Sequence, residues 1–344
     1  MSRNVFIQGM RRSGTTILYD AFCEDPELRC FYEPFREEDV TPGGGSGARS
    51  GDLFAETRAL RHEFQRTRHP EIPLELFNHG GPRAPALELH TGLPAWAVDW
   101  LRFLLDQAPT VLVKHVRMYR KIGVLHQLDP AAVLVHAVRD PRAVSASMLL
   151  GRGRRHLWRY PDADAFFRSW SHRKLWSSRA LSEALIAEGA FPGLERGAPD
   201  FMRPLMVWLA AFTATYEEGR RLFGGRYVLV RLEDLRTDPA GTLASIYERL
   251  ERPMPAAVAA WAEANVRREA DIPFGDDGRW ADAAALLGME DALAAAGYAD
   301  AFPEPSGRPL ELEPPSPEPG SRLGAVLARA RAGVARARGR RRDA

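Results

Sequence analysis

The stretch Val5-Phe-Ile-Gln-Gly9-Met-Arg-Arg-Ser-Gly14-Thr-Thr16 decides how this chain folds. Its apolar opening reads as a short strand over Asn4–Gln8, and a glycine-flanked loop follows within one residue. A helical pattern then runs from Thr15 to Phe22, with Ile17, Leu18, Ala21 and Phe22 on one face and Asp25-Pro26 as its stop. The loop has the spacing G-x-x-x-x-G-x-[ST] of a phosphate-binding turn. It stands between strand and helix, where free N–H groups and the positive end of the helix dipole attract an anion. The lysine that such loops use for nucleoside triphosphates is missing: Thr15 holds its position, and the cationic charge comes from Arg11 and Arg12. That is a poor arrangement for Mg²⁺-dependent ATP hydrolysis.

Working outward, a second extended run, Leu28–Glu33, stops at Pro34. Thr41–Asp52, with five glycines, reads as an open loop. Three continuous apolar runs, Thr110–Val113, Val133–Val138 and Tyr227–Leu232, have the character of strands buried on both faces of a parallel sheet. Helical patterns lie between and after them at Trp96–Gln107, Pro141–Leu150, Asp164–Glu188, Arg203–Phe223 and Pro239–Glu251. The alternation predicts a three-layer α/β domain. The block 151–225 offers no strand; its Phe166, Phe167, Trp170, Trp176, Trp208 and Phe212 suit a helical insertion over the upper edge of the sheet.

The second constellation is Val133-Leu-Val-His-Ala-Val138 followed by Arg139-Asp-Pro-Arg-Ala-Val-Ser-Ala-Ser147. Asp140 suits the N-cap and Pro141 the first helical position, so Arg139 emerges at the carboxyl end of a strand where a helix begins. Ligands of α/β sheets bind in such crevices. Ser147 falls on the capped side of that helix, where its hydroxyl can join Arg139 around one phosphate.

The chain has 344 residues, of which 45% are hydrophobic and 27% charged, the values of an ordinary globular protein. Disordered, collagen-like and disulfide-stapled classes are excluded. The formal charge of +2 hides an asymmetry: residues 321–344 carry eight arginines against Asp343, a net +7, which leaves the body at −5. A mildly acidic body with a basic tail is not the pattern of a nucleic-acid-binding fold. The tail is expected to be solvated, with weak contact to anionic surfaces as the sharper alternative. Cys23 and Cys30 read as reduced packing residues, and no third and fourth ligand suggests a metal site. No run approaches a membrane span, and Val5–Ile7 is too short for a signal peptide, so a soluble, cytoplasmic protein is expected.

Taken together, these residues resemble the sulfotransferases that use 3′-phosphoadenosine 5′-phosphosulfate (PAPS), closest to the carbohydrate 6-O-sulfotransferase and tyrosylprotein sulfotransferase branches. Gly9–Thr16 is similar to the family's 5′-phosphosulfate loop, and Arg139–Ser147 to its 3′-phosphate motif. Phe31-Tyr-Glu-Pro34, Val111-Leu-Val-Lys-His-Val-Arg117 and Val230-Arg-Leu-Glu-Asp-Leu-Arg-Thr-Asp-Pro239 agree with it in order, with a looser echo at Arg279-Trp280. The resemblance implies a P-loop NTPase-like three-layer fold with a central parallel sheet. It implies PAPS as donor co-substrate with no required metal, and transfer of a sulfonate to an acceptor hydroxyl of a saccharide, lipid or natural product.

The resemblance carries site roles with it. Arg11, Arg12, Ser13, Gly14, Thr15 and Thr16, with Arg139 and Ser147, would hold the donor; Arg12, Thr15 and Thr16 would meet the charge that develops on the 5′-phosphate. Glu33 would be the base that takes the acceptor proton, with His115 as its rival, and Lys114 would reach the reacting groups. Arg117 could touch donor or acceptor or be solvated, and Arg267, Arg268, Arg279 and Trp280 could close over the nucleotide. Leu232 stands where relatives commonly have Tyr. A P-loop kinase of a small metabolite and a non-catalytic nucleotide-binding or scaffold protein are the alternatives. The expected organisation is a sulfotransferase domain over residues 1–302, a Pro-rich linker over 303–320 and the basic tail over 321–344. Nothing in the sequence fixes an oligomeric state.

Overall fold

A computed structural model of the chain describes residues 3–35, 50–74, 85–150, 176–195, 197–199, 201–266, 278–307 and 310. Its sheet has five strands, β1 (Val5–Gly9), β2 (Arg29–Tyr32), β3 (Val111–His115), β4 (Val133–Val138) and β5 (Tyr227–Arg231). Their spatial order is β2-β3-β1-β4-β5 and every pairing is parallel. The helices are α1 (Thr15–Phe22), α2 (Ser50–Arg68), α3 (Pro85–Leu89), α4 (Ala95–Leu105), α5 (Ile122–Leu128), α6 (Pro141–Leu150), α7 (Trp176–Ala187), α8 (Arg203–Phe223), α9 (Leu232–Thr237), α10 (Pro239–Arg249), α11 (Ala256–Asn265), α12 (Arg279–Leu287) and α13 (Glu290–Ala296).

Side-chain alternation in the strands explains the three layers. Val5 and Ile7 of β1, with Val133 and Val135 of β4, point to one face, where α1, α10 and α11 cover them with Leu18, Phe22, Leu243, Ile246, Tyr247 and Val258. Phe6, Val113 and Leu134 point to the other face. They meet Phe64 of α2, Trp100 and Leu104 of α4, Ile122 of α5 and Phe223 of α8. Because both faces are buried, β1, β3 and β4 each open on three consecutive apolar residues, the runs by which they are read as strands. A third apolar cluster joins Val138 and Val144, at the β4–α6 junction, to α7, α8, α12 and α13, with Trp208 and Trp280 fully buried.

The element boundaries differ from expectation in instructive places. β3 runs on to His115, so Lys114 lies inside the sheet rather than at its end. The strand continues because Lys114 and His115 pair with Ile7 and Gln8 of β1. Helix α2 is longer than anything read there, and its first residues, Ser50–Asp52, were assigned to the glycine-rich loop. The rest of that loop, the segment 151–175 with Phe166, Phe167 and Trp170, Arg267 and Arg268, and the tail 321–344 lie outside the described residues. Cys23 and Cys30 are free thiols. Among the described residues no helix is long and apolar enough to cross a membrane.

Candidate active site

The register of β1 places Gly9 beside Ala137 of β4, so the loop after β1 and the turn after β4 open side by side at the carboxyl edge of the sheet. Two glycines let the backbone make this loop. A Cβ at Gly9 would run into the Ala137 carbonyl oxygen and lie 2.8 Å from Thr15 Cγ2. Gly14 sits at φ 85°, in the left-handed region, and a Cβ there would stand 2.7 Å from Leu232 Cδ1. Its carbonyl accepts from the N–H groups of Ile17 and Leu18, which starts α1. Leu232 packs directly on this turn.

Arg12 is held in the left-handed region as well, at φ 75°, and Glu33 at φ 41°. Such backbone costs a side-chain-bearing residue roughly 1–3 kcal/mol and persists only where the surroundings over-determine it. Among the described residues the only other non-glycine with positive φ is Glu251. Two of the three therefore belong to the residues singled out from the sequence.

Contacts tie the two strand tips together. Arg139 Nη1 donates to the Arg12 carbonyl oxygen at 3.0 Å, and Arg12 Nε donates to Ser147 Oγ at 2.8 Å. The carbonyl of Arg139 accepts from the Trp208 indole at 3.0 Å. Asp140 caps α6 as expected, its carboxylate accepting from the Arg142 N–H at 2.8 Å. The result is one cavity of about 360 Å³ lined by Arg12, Gly14, Thr15, Thr16 and Arg139, and also by Asp20, Leu232, Arg236, Asn265 and Val266. Three arginines against one aspartate make it cationic.

Asp20, Arg236 and Asn265 were given no site role in the sequence reading. They reach the cavity from three different helices, and of the three only Arg236 lies within a stretch quoted for the resemblance, Val230–Pro239. Ser13 is buried beneath the loop, and its hydroxyl makes no hydrogen bond among the described residues.

Beside the cavity a second group forms. Lys114 is buried in β3 and its Nζ forms an ion pair with Glu33 Oε1, while the Glu33 N–H donates to the Lys114 carbonyl at 2.9 Å. The ammonium also lies 4.1 Å from the centre of the Tyr32 ring. Glu33 keeps about a fifth of its side chain exposed, and Lys114 almost none. His115, the rival base, is buried; desolvation first, then the charge of Lys114, hold its pKa down to about 3. It is neutral at neutral pH and a weak base.

Arg11 turns away from the cavity lining. Its Nη1 donates to both oxygens of Glu88, at 2.9 and 3.2 Å, and Arg117 Nη1 donates to the same carboxylate at 2.5 Å. Tyr119 Oη adds a bond at 3.2 Å, and Lys121 Nζ donates to the Glu88 carbonyl at 3.0 Å. Glu88 thus fastens the phosphate-type loop to the segment that follows β3. Nothing in Pro-Ala-Leu-Glu-Leu announced this, because its partners lie 29 or more positions away in the chain. Trp280 is buried in the third apolar cluster, and Arg279 stands over the Phe201 ring. Among the described residues, no cluster of three or more His, Cys, Asp or Glu could hold a metal ion.

Several solved structures are similar to the chain. Sulfotransferase STF9 from Mycobacterium avium matches at 16% identity over 89% of this chain and 79% of its own, with a TM-score of 0.46. The sulfotransferase domain of the olefin synthase from Synechococcus PCC 7002 matches at 17% identity over 75% and 76%, with a TM-score of 0.39. Sulfotransferase STF1 from Mycobacterium tuberculosis matches at 17% identity over 77% and 71%, with a TM-score of 0.40. A search of curated proteins finds no match. The model of the sulfotransferase family matches residues 4–188, which is more than half of the chain and takes in β1 to β4, the glycine loop, Glu33, Lys114, Arg139 and Ser147. A parallel sheet with a glycine loop after β1 and this family match lead to one conclusion: the chain belongs to the sulfotransferase family and is a sulfotransferase.

Proposed function

We propose that the chain transfers a sulfonate group from PAPS to an acceptor hydroxyl, with Glu33 as the base. The contact between Arg139 and Arg12 carries this reading, since it brings two anion-binding groups from adjacent strand tips to one cationic cavity. PAPS has anionic groups at both ends of its ribose and suits such a pair. The cradle itself fits: the backbone approaches closely only because Gly9 and Gly14 lack Cβ atoms, and Ser13 keeps an uncommitted buried hydroxyl under the turn.

In this reading the N–H groups of Gly14, Thr15 and Thr16 with the Arg12 side chain hold the 5′-phosphosulfate, and Arg139 with Ser147 holds the 3′-phosphate. The acceptor oxygen attacks sulfur in line and forms the new S–O bond while the S–O bond to the 5′-phosphate breaks; Glu33 takes the hydroxyl proton. Arg12, Thr15 and Thr16 stabilise the charge left on the phosphate oxygen, which is where donors lower the barrier most. Lys114 holds Glu33 in place through the ion pair and the backbone bond between them. The acceptor is a hydroxyl of a saccharide, lipid or natural product, and the free thiols Cys23 and Cys30 suit the reducing cytoplasm.

Purified protein given ³⁵S-labelled PAPS and a metabolite extract should yield labelled sulfate esters and 3′,5′-ADP (PAP), and mass spectrometry would name the acceptor. No label transfer together with no PAP binding would sink the proposal. Recovery of the protein in an exported or membrane fraction would overturn the cytoplasmic assignment.

A further inference from the structure

Tyr32 is the last residue of β2 and the neighbour of Glu33, yet none of the site roles above uses it. Its position is over-determined. The ring packs edge-on against Tyr19 at 5.1 Å, and it is 8% exposed overall. Its two chemically distinct ends then reach the two halves of the site. The hydroxyl lies 3.1 Å from Thr16 Oγ1 in the loop after β1. The ring face lies 4.1 Å from Lys114 Nζ, the ammonium paired with Glu33.

The direction of the hydroxyl pair follows from chemistry. A hydroxyl has one proton to give, and Thr16 can donate to an anion in the cavity only if it does not spend that proton on Tyr32. A phenol is a stronger acid than an aliphatic alcohol, hence the better donor of the two. With an anion in place, the favoured chain runs from the Tyr32 O–H to Thr16 Oγ1 and from the Thr16 O–H to the anion. Each bond polarises the next.

We infer that Tyr32 is a positioning residue of the transfer reaction: its hydroxyl turns the Thr16 proton toward the departing phosphate oxygen, and its ring seats Lys114 against Glu33. The inference rests on the donor reading given above and refines it. Its signature is charge selectivity. Thr16 polarised in this way gains most when negative charge on the 5′-phosphate is fully developed, as in PAP, and less when that oxygen still bridges to sulfur, as in PAPS.

Isothermal calorimetry on the full chain tests this with PAP and PAPS as probes. Tyr32→Phe keeps the ring and removes the hydroxyl; it should weaken PAP about fivefold, the worth of one hydrogen bond between neutral groups, and PAPS less than about twofold. Tyr32→Leu removes both ends, and should in addition lower the rate of sulfonate release from PAPS to acceptor or water below that of Tyr32→Phe. Thermal unfolding of each variant verifies that it is folded. Equal weakening of PAP and PAPS by Tyr32→Phe, the mark of a merely structural tyrosine, would overturn the inference, and so would no weakening of either. If the unaltered protein bound neither probe, the donor reading itself would fall, an outcome distinct from a selectivity that does not change.

Discussion

Arg139 spends one guanidinium N–H on the backbone carbonyl of Arg12, 127 positions earlier in the chain, at 3.0 Å. That bond, with the one from Arg12 Nε to Ser147, closes a ring of contacts between the turn after β1 and the first two turns of α6. The Trp208 indole, stacked at 4.9 Å on Phe212, holds the carbonyl of Arg139 from below. Arg12 and Arg139 are therefore tethered before any ligand arrives, which spares the ordering cost that flexible arginines would impose.

The turn at Gly14 makes two separable demands. Gly14→Ala places a Cβ at φ 85° and 2.7 Å from Leu232 Cδ1. We expect a loss of about 1–3 kcal/mol of stability in urea denaturation, with weaker PAP binding. On a Leu232→Ala background, itself destabilised by loss of a buried side chain, Gly14→Ala should cost less by the part due to the contact and keep the part due to backbone strain. No cost at all of Gly14→Ala on that background would show that the left-handed conformation costs nothing here.

Glu33→Gln keeps the shape of the side chain and removes its basicity. The expected result is a fall in turnover of about 10²- to 10⁴-fold with PAP affinity little changed, measured by label transfer and calorimetry on the same preparation. His115→Gln should leave turnover near that of the unaltered protein, because a neutral, buried imidazole with a pKa of about 3 is a weak base. The opposite pattern, a silent Glu33→Gln and a dead His115→Gln, would exchange the two assignments.

Two buried histidines set the acid limit of the fold. Desolvation by burial holds both His115 and His136 down to a pKa of about 3, against an ordinary value of about 6.5 in the unfolded chain. Each is neutral in the folded protein, so the unfolded state binds more protons as the pH falls. The stability they lend is complete above about pH 6.5 and is lost progressively between there and about pH 3. Between pH 7 and pH 5 each should cost about 2 kcal/mol in denaturant unfolding. His136 accepts or donates one hydrogen bond to the Tyr227 hydroxyl at 2.7 Å, so His136→Asn should flatten the pH slope at some cost in stability at neutral pH. An unchanged slope in both variants would place the acid sensitivity elsewhere.

The sequence exposed what is local and apolar. The spans of α1, β4, α6 and α8 matched their patterns residue for residue, because glycine, Asp-Pro and doubly buried strands punctuate themselves. Helix α2 was missed because its surface is charged and it follows a run of glycines. Helix α11 was missed because alanine, which dominates it, gives weak hydrophobic periodicity. The site was legible as two motifs but not as one place. The Lys114–Glu33 pair spans 81 positions, and the Glu88 cluster gathers Arg11 from 77 positions away, contacts that only the crossing order β2-β3-β1-β4 creates.

The proposed transfer requires the two strand tips to grip one ligand at both ends. Calorimetry comparing PAP with adenosine 5′-phosphate, which lacks the 3′-phosphate, reads this directly. The unaltered protein should prefer PAP by about tenfold or more, as expected for at least one charge-assisted hydrogen bond, and Arg139→Ala should erase most of that preference while retaining the binding of adenosine 5′-phosphate. Equal affinity for the two nucleotides, or a preference that survives Arg139→Ala, would contradict it.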